Sequence, residues 1–87
     1  MKAFSLVISS PDGDIFRDSV SGISLRGIEG ELAVMAGHIP FVTSVKPCDC
    51  KIELPDGEIK TGYTDGGILT VGKDMVTLIS GTFEWKE

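Results

Sequence analysis

Hydrophobic and polar positions alternate along most of this chain, and the alternation is cut into short lengths. Within residues 1–10, Phe4, Leu6 and Ile8 fall on one face, and Ser5 and Ser9 fall on the other together with Val7. A period of two is that of a half-buried strand. Ile23 and Leu25 face away from Ser24 and Arg26, Leu32 and Val34 continue the pattern, and Phe41, Thr43 and Val45 follow. Cys48, Cys50, Ile52 and Leu54 alternate strictly with Asp49, Lys51 and Glu53. Pro55-Asp56-Gly57 then predicts a turn, with Ile59, Thr61 and Tyr63 on the return strand of a hairpin. Gly72-Lys73-Asp74 predicts a second hairpin, between residues 68–71 and 75–80.

Glycine and proline decide the fold class. The 11 Gly and 4 Pro are spread so evenly that only the first ten residues escape them for longer than eight positions. Helices average about 11 residues and tolerate interior Gly or Pro poorly, whereas strands of about five residues fit between such breaks. The expected fold is therefore all-β, with about ten short strands in a β-sandwich or flattened barrel. No linker, low-complexity stretch or internal repeat interrupts residues 1–87, so one domain is expected. In residues 75–79 apolar side chains occupy both faces, the pattern of a strand covered on both sides, and Phe83 and Trp85 are expected to fold back over such surface.

Composition narrows the function. With 41% hydrophobic and 24% charged residues this is an ordinary folded domain, not a disordered tail. A net charge of -5 argues against nucleic acid and against electrostatic attachment to an anionic membrane. Apolar runs fall far short of the roughly 20 residues a helix needs to cross a bilayer, so no direct membrane insertion is expected. The N-terminus lacks the apolar region and cleavage site of a signal peptide, which favours the cytoplasm and reduced thiols.

Residues with chemical potential are few. His38 is the sole histidine and the one candidate general base, but no nucleophile elbow, second histidine or paired carboxylates accompany it, so no catalytic residue is assigned. Cys48 and Cys50 share a strand face. With His38 they would make three ligands, the basis of an alternative reading as a free-standing binding module for a metal or small ligand. The alternation places both cysteines in the core, where a free thiol acts as a small hydrophobe, and no metal or other cofactor is expected. Gly66-Gly67 lacks the Gly-Lys-Ser/Thr of a phosphate loop, so a bulge or close backbone approach is the better account. Glu29 and Glu31 flank Gly30, Gly37 suits a sharp turn, and Pro40 holds Ile39 extended. Together these suggest a rigid, exposed tip carrying Glu31 and His38.

The stretch Gly30-Glu31-Leu32-Ala33-Val34-Met35-Ala36-Gly37-His38-Ile39-Pro40 resembles the Gly-Glu-Leu-x-Val-x-x-Gly-His-x-Pro signature of the epsilon subunit of F-type ATP synthases. Ser10-Pro11-Asp12-Gly13 with Ile15-Phe16, Val42-Thr43 with Lys46-Pro47, Gly66-Gly67-Ile68-Leu69-Thr70-Val71 and Val76-Thr77-Leu78 continue the likeness in the family's order. Cys48 stands where the family commonly has Gly, so the turn before it departs from pattern. The resemblance implies the family's N-terminal β-sandwich, with no C-terminal helical hairpin in residues 1–87. It implies a non-catalytic rotor subunit joining the gamma subunit of the central stalk to the rotor ring, peripheral at the cytoplasmic face of a bacterial membrane, in an enzyme moving protons or sodium ions. By the same resemblance Glu29, Gly30, Glu31, Gly37, His38 and Pro40 would face the ring. Some family members bind ATP through the hairpin, and that activity is not carried over.

Overall fold

The computed structural model describes residues 3–86. The elements are β1 (Phe4–Ser10), β2 (Gly13–Val20), β3 (Gly22–Gly27), β4 (Gly30–Met35), β5 (Phe41–Val45), β6 (Cys48–Glu53), β7 (Ile59–Thr64), β8 (Gly67–Val71), β9 (Met75–Ser80) and β10 (Phe83–Trp85). Both predicted hairpins form. At the β6–β7 turn the Leu54 N–H donates to the Glu58 carbonyl at 2.8 Å and the Asp56 carboxylate accepts from the Glu58 N–H at 2.9 Å. At the β8–β9 turn the Gly72 N–H donates to the Met75 carbonyl at 2.8 Å.

Hydrogen bonds join the strands along the path β10-β7-β6-β3-β5-β8-β9-β1-β2, with β4 on the other side of β3. All pairings are antiparallel except β1 with β9. The link between β3 and β5 is one residue pair, Gly27 with Val45. There the path folds over into two layers, β4-β3-β6-β7-β10 and β5-β8-β9-β1-β2. Alternate side chains of both layers point into one core: Ile23, Cys50 and Ile52 from the first, and Leu6, Ile8, Leu69, Val76 and Leu78 from the second, all at most 1% exposed. Each buried Leu or Ile contributes about 1.5–3 kcal/mol relative to exposure.

A second seam, between the end strands β2 and β10, closes through aromatic rings. Phe16 meets Trp85 edge-on at 5.7 Å, Trp85 meets Phe83 at 5.1 Å, and the Lys60 ammonium sits 4.5 Å from the Trp85 ring centroid. Phe83 and Trp85 therefore close this seam and do not cover the outer face of β9, where Met75 and Ile79 stay exposed. Two further expectations change, for Val7 and Cys48, and the facing of β7, which the alternation left open, is decided. Val7 is buried despite its place on the polar side of β1. In β7 the inward residues are Gly62 and Thr64, because the Phe83 ring lies over Gly62, and Ile59 and Tyr63 point outward. Cys50 is fully buried but Cys48 only half so, because it sits at the strand end where β3, β5 and β6 meet.

Gly67 records how tightly β8 meets β9. A Cβ added there would collide with the carbonyl of Ile79, a backbone atom that cannot swing aside. This is the close approach expected of the Gly66-Gly67 pair. Gly67→Ala should lower stability by about 2–3 kcal/mol, the cost of overpacking a filled site. Gly22→Ala, where the new methyl meets nothing nearer than 3.5 Å, should cost far less. Urea unfolding midpoints at constant slope would measure both.

Candidate functional site

The two-residue turn Ile28-Glu29 closes the β3–β4 hairpin, with Gly27 paired to Gly30 and Arg26 to Glu31. Gly30 takes a φ of +124°, which a residue with a side chain adopts only under strain. Glu29 and Glu31 are exposed, and the Glu31 carboxylate lies 3.4 Å from the Arg26 guanidinium, a long contact between groups 81% and 56% exposed. Such a pair contributes little to folding and leaves both charges available to a partner. Ile28 adds an exposed apolar side chain at the same turn.

His38 is elsewhere. Gly22 pairs with Met35 at the far end of the hairpin, so four residue steps along the strand, about 13 Å, separate Glu31 from Met35 before the chain reaches the histidine. The expected shared tip of Glu31 and His38 does not form, because an extended strand lies between them. Nor is His38 exposed. Its Nδ1 lies 2.7 Å from the Met35 carbonyl oxygen, its Nε2 lies 2.7 Å from the Gly72 carbonyl oxygen, and Phe4 packs edge-on against the ring at 5.3 Å. A neutral imidazole has one N–H for these two acceptors, whereas a protonated one has two. Gly37, at φ +88°, makes the turn that brings the ring inward. The Gly37–Pro40 loop is thus a clasp between β4 and the β8–β9 turn, with Ile39 projecting from it 80% exposed.

The same separation divides the three ligands of the alternative reading. Cys48 pairs with Thr64 at the end where β7 stops, and His38 is bound to the opposite end through Gly72. The Cys48 sulfur accepts the Arg26 N–H at 3.3 Å, which fixes it in the strand junction. Burial pushes the Cys50 thiol up to about 12, with the neighbouring Cys48 and Asp49 adding to the effect. Gly66 and Gly67 lie in and after a tight turn held by the Thr64 hydroxyl, which accepts the Gly66 N–H at 3.1 Å.

Sequence reasoning saw only the β9 part of one surface feature. On the outer face of β5, β8, β9 and β1 the outward residues include Val42, Ile68, Thr70, Met75, Thr77 and Ile79, with serines and Val7 between them. No charged side chain stands on these outward positions, although Val42 is 66%, Ile79 53%, Met75 46% and Ile68 41% exposed. An exposed patch of this kind marks a contact surface. The signal lay in the sequence: outward positions on these strands are hydroxyl or aliphatic, whereas β6 alternates with Asp49, Lys51 and Glu53. Strand order was needed to see that they adjoin.

A ten-stranded sandwich with an uncharged face on β5, β8, β9 and β1 and an acidic hairpin at one end has the surfaces of a small interaction domain. The chain belongs to the family described as ATP synthase, Delta/Epsilon chain, beta-sandwich domain, which matches residues 3–86. It is similar to a chain in the cryo-EM structure of the Euglena gracilis mitochondrial ATP synthase, an assembly of OSCP, F1 and c-ring in rotational state 1. The TM-score is 0.90 at 25% identity, over 95% of this chain and 53% of that one. A chain of the Tetrahymena thermophila mitochondrial ATP synthase central stalk and c-ring shares the fold, with a TM-score of 0.77 at 15% identity over 91% of this chain and 63% of that one. Residues 1–87 thus span between about half and two thirds of the length of these chains.

Two expectations follow for the site. His38→Ala removes a clasp of up to two hydrogen bonds, each contributing about 0.5–1.5 kcal/mol, so stability should fall by about 1–2 kcal/mol in urea unfolding. Glu31→Ala should leave stability almost unchanged. Cys50 supplies a pH dependence. A thiol raised to about 12 when folded, against about 8.5 in an unfolded chain, stays neutral longer in the native state. Its contribution is complete below about pH 8.5 and is lost as the pH climbs towards 12. Stability should therefore fall more steeply above about pH 9 in the parent than in Cys50→Ala, each followed by denaturant unfolding from pH 7 to 11.

Proposed function

We propose that this domain is a non-catalytic subunit of the central stalk of a rotary ATP synthase, joining the gamma shaft to the membrane rotor ring. Family membership carries the assignment to the complex. The uncharged outer face of β5, β8, β9 and β1 supports the role within it. A permanent partner removes such a face from water, and the hydroxyls of Thr70 and Thr77 hydrogen-bond without the desolvation cost of a charge. This face is assigned to the gamma subunit.

The ring contact is assigned to the β3–β4 hairpin end, through Glu29, Gly30 and Glu31. Only one end of the sandwich can face the ring. Gly37, His38 and Pro40 lie at the other end, where they hold the β4–β5 connection in shape. The acidic hairpin end suits a partner loop carrying basic residues, with rim charges setting register and association rate more than affinity. The domain's part is mechanical: two layers locked by one core carry torque between two interfaces, and no bond is made or broken in this chain. Its place is peripheral, at the cytoplasmic face of a bacterial membrane. No helix among the described residues is long and apolar enough to cross one. The coupled ion, H⁺ or Na⁺, is a property of the ring.

Ion pumping by reconstituted complexes across an ionic-strength series tests this arrangement. Glu31→Ala should weaken coupling modestly and most at low salt, where screening is least. Glu31→Lys should weaken it further, by opposing like charges, and His38→Ala should show little salt dependence. Parental pumping by Glu31→Lys at every salt concentration would remove this end of the sandwich from the ring.

A further inference from the structure

Between Glu31 and Lys46 the chain carries no Asp, Glu, Lys or Arg, although 24% of the whole sequence is charged. The Gly37–Pro40 loop lies within this stretch. It holds Ile39, the most exposed large apolar side chain among the described residues. A single exposed isoleucine on a surface is ordinary. This one is neither isolated nor loose.

The residues on both sides of Ile39 are fixed. His38 is held between the Met35 and Gly72 carbonyl oxygens, each at 2.7 Å, with the Phe4 ring edge-on against it. Pro40 has its φ locked by its ring. A side chain presented on so constrained a backbone gives up little freedom when a partner covers it. Two of the three groups that hold His38 belong to the second layer. Phe4 opens β1, and the Gly72 N–H donates to the Met75 carbonyl at the start of β9. The loop is thus fastened to the layer whose outer face is uncharged. Apolar exposure runs on from it to that face, through Phe41 and Val42 along the chain and through Met75 beside Gly72. Met35 takes the other side, leaning over Gly22 of the first layer. Lys73 and Asp74, exposed in the β8–β9 turn, supply the charges of a polar rim.

We infer that the gamma-facing surface extends over the clasp end of the sandwich, with Ile39 as an apolar anchor and His38 as the positioning residue that holds it in place. This rests on the assignment of the uncharged face to the gamma subunit. The partner is the same because the loop is bonded to that layer and its apolar exposure continues that face at Val42 and Met75. Buried apolar anchors carry most of the affinity of an interface, whereas rim charges carry little. The clasp contact should therefore be insensitive to salt, unlike the acidic hairpin at the opposite end.

The test titrates this chain onto stalk complexes from which it has been removed and reads the dissociation constant. Ile39→Ala and Ile39→Asp should weaken binding about tenfold or more, equally at low and high salt, whereas Ile39→Leu should bind like the parent. Urea unfolding should find Ile39→Ala as stable as the parent, because the side chain is exposed in the free chain. His38→Ala should also weaken binding. Combined with Ile39→Ala it should add less than its separate effect, because the clasp acts through Ile39; full additivity would remove His38 from this role. Ile79→Asp, placed between Ile68 and Ser9 on the uncharged face, tests the assignment beneath the inference. Weak binding by Ile79→Asp with parental binding by Ile39→Asp would overturn this inference and leave the face with gamma. Parental binding by both would remove the face assignment as well. A dimer of the free chain in sedimentation that Ile39→Asp abolishes would give the clasp end to a second copy and overturn the inference.

Discussion

The corner at Gly27 decides the shape of the molecule. One pairing, Gly27 with Val45, is all that joins β3 to β5, and at this point a continuous ribbon of hydrogen bonds turns into two facing layers. A side chain on Gly27 would meet Leu32 at 2.9 Å, closing the corner to any bulkier residue unless Leu32 gave way. On either side of it the bonds from Ile28 N–H to Ser44 and from Lys46 N–H to Arg26 hold β5 as it leaves the first layer for the second. Because the layers face each other there, alternate side chains on every strand share one core. The second seam, Phe16 against Trp85 under Lys60, then closes without further backbone pairing.

From that geometry follows a division of labour between the surfaces. The layer containing β6 keeps charges outward, among them Asp49, Lys51 and Glu53, and its surface is suited to water. The layer containing β8 and β9 keeps none outward on β5, β8, β9 and β1, and its surface is suited to a partner. The two ends differ in build. One carries Glu29 and Glu31 on a narrow hairpin, and the other is tied together by His38 bridging two carbonyls. A domain that transmits torque needs stiffness between its contacts, and a shared core flanked by a clasp and an aromatic seam supplies it.

His38 shows how a motif can be informative about family and misleading about place. Its spacing from Gly37 and Pro40 marks the turn, and the turn forms. The physical role differs from the one the isolated motif suggests: the two ring nitrogens each lie 2.7 Å from a carbonyl oxygen, of Met35 and of Gly72, so the ring links the end of β4 to the β8–β9 turn. Glycine at position 37 swings the ring inward, and Gly72 lies 34 residues further along the chain, a partner that no local reading could supply.

The sequence by itself determined the strands, their turns and the family. Alternation with a period of two and turn residues at fixed offsets are local properties, fixed by backbone sterics within a few residues. That is why the hairpin at Pro55-Asp56-Gly57 and the inward set of Leu6, Ile8, Cys50 and Ile52 were legible. Only the tertiary structure decided which strand lies beside which. Strand order rests on pairings between residues far apart in sequence, such as β1 with β9, and on a single corner at Gly27. Hence the separation of Glu31 from His38, the half-burial of Cys48, the outward turn of Ile59 and Tyr63 and the joining of the uncharged positions into one face all lay beyond the sequence. Each depends on a neighbour that the chain reaches only after folding.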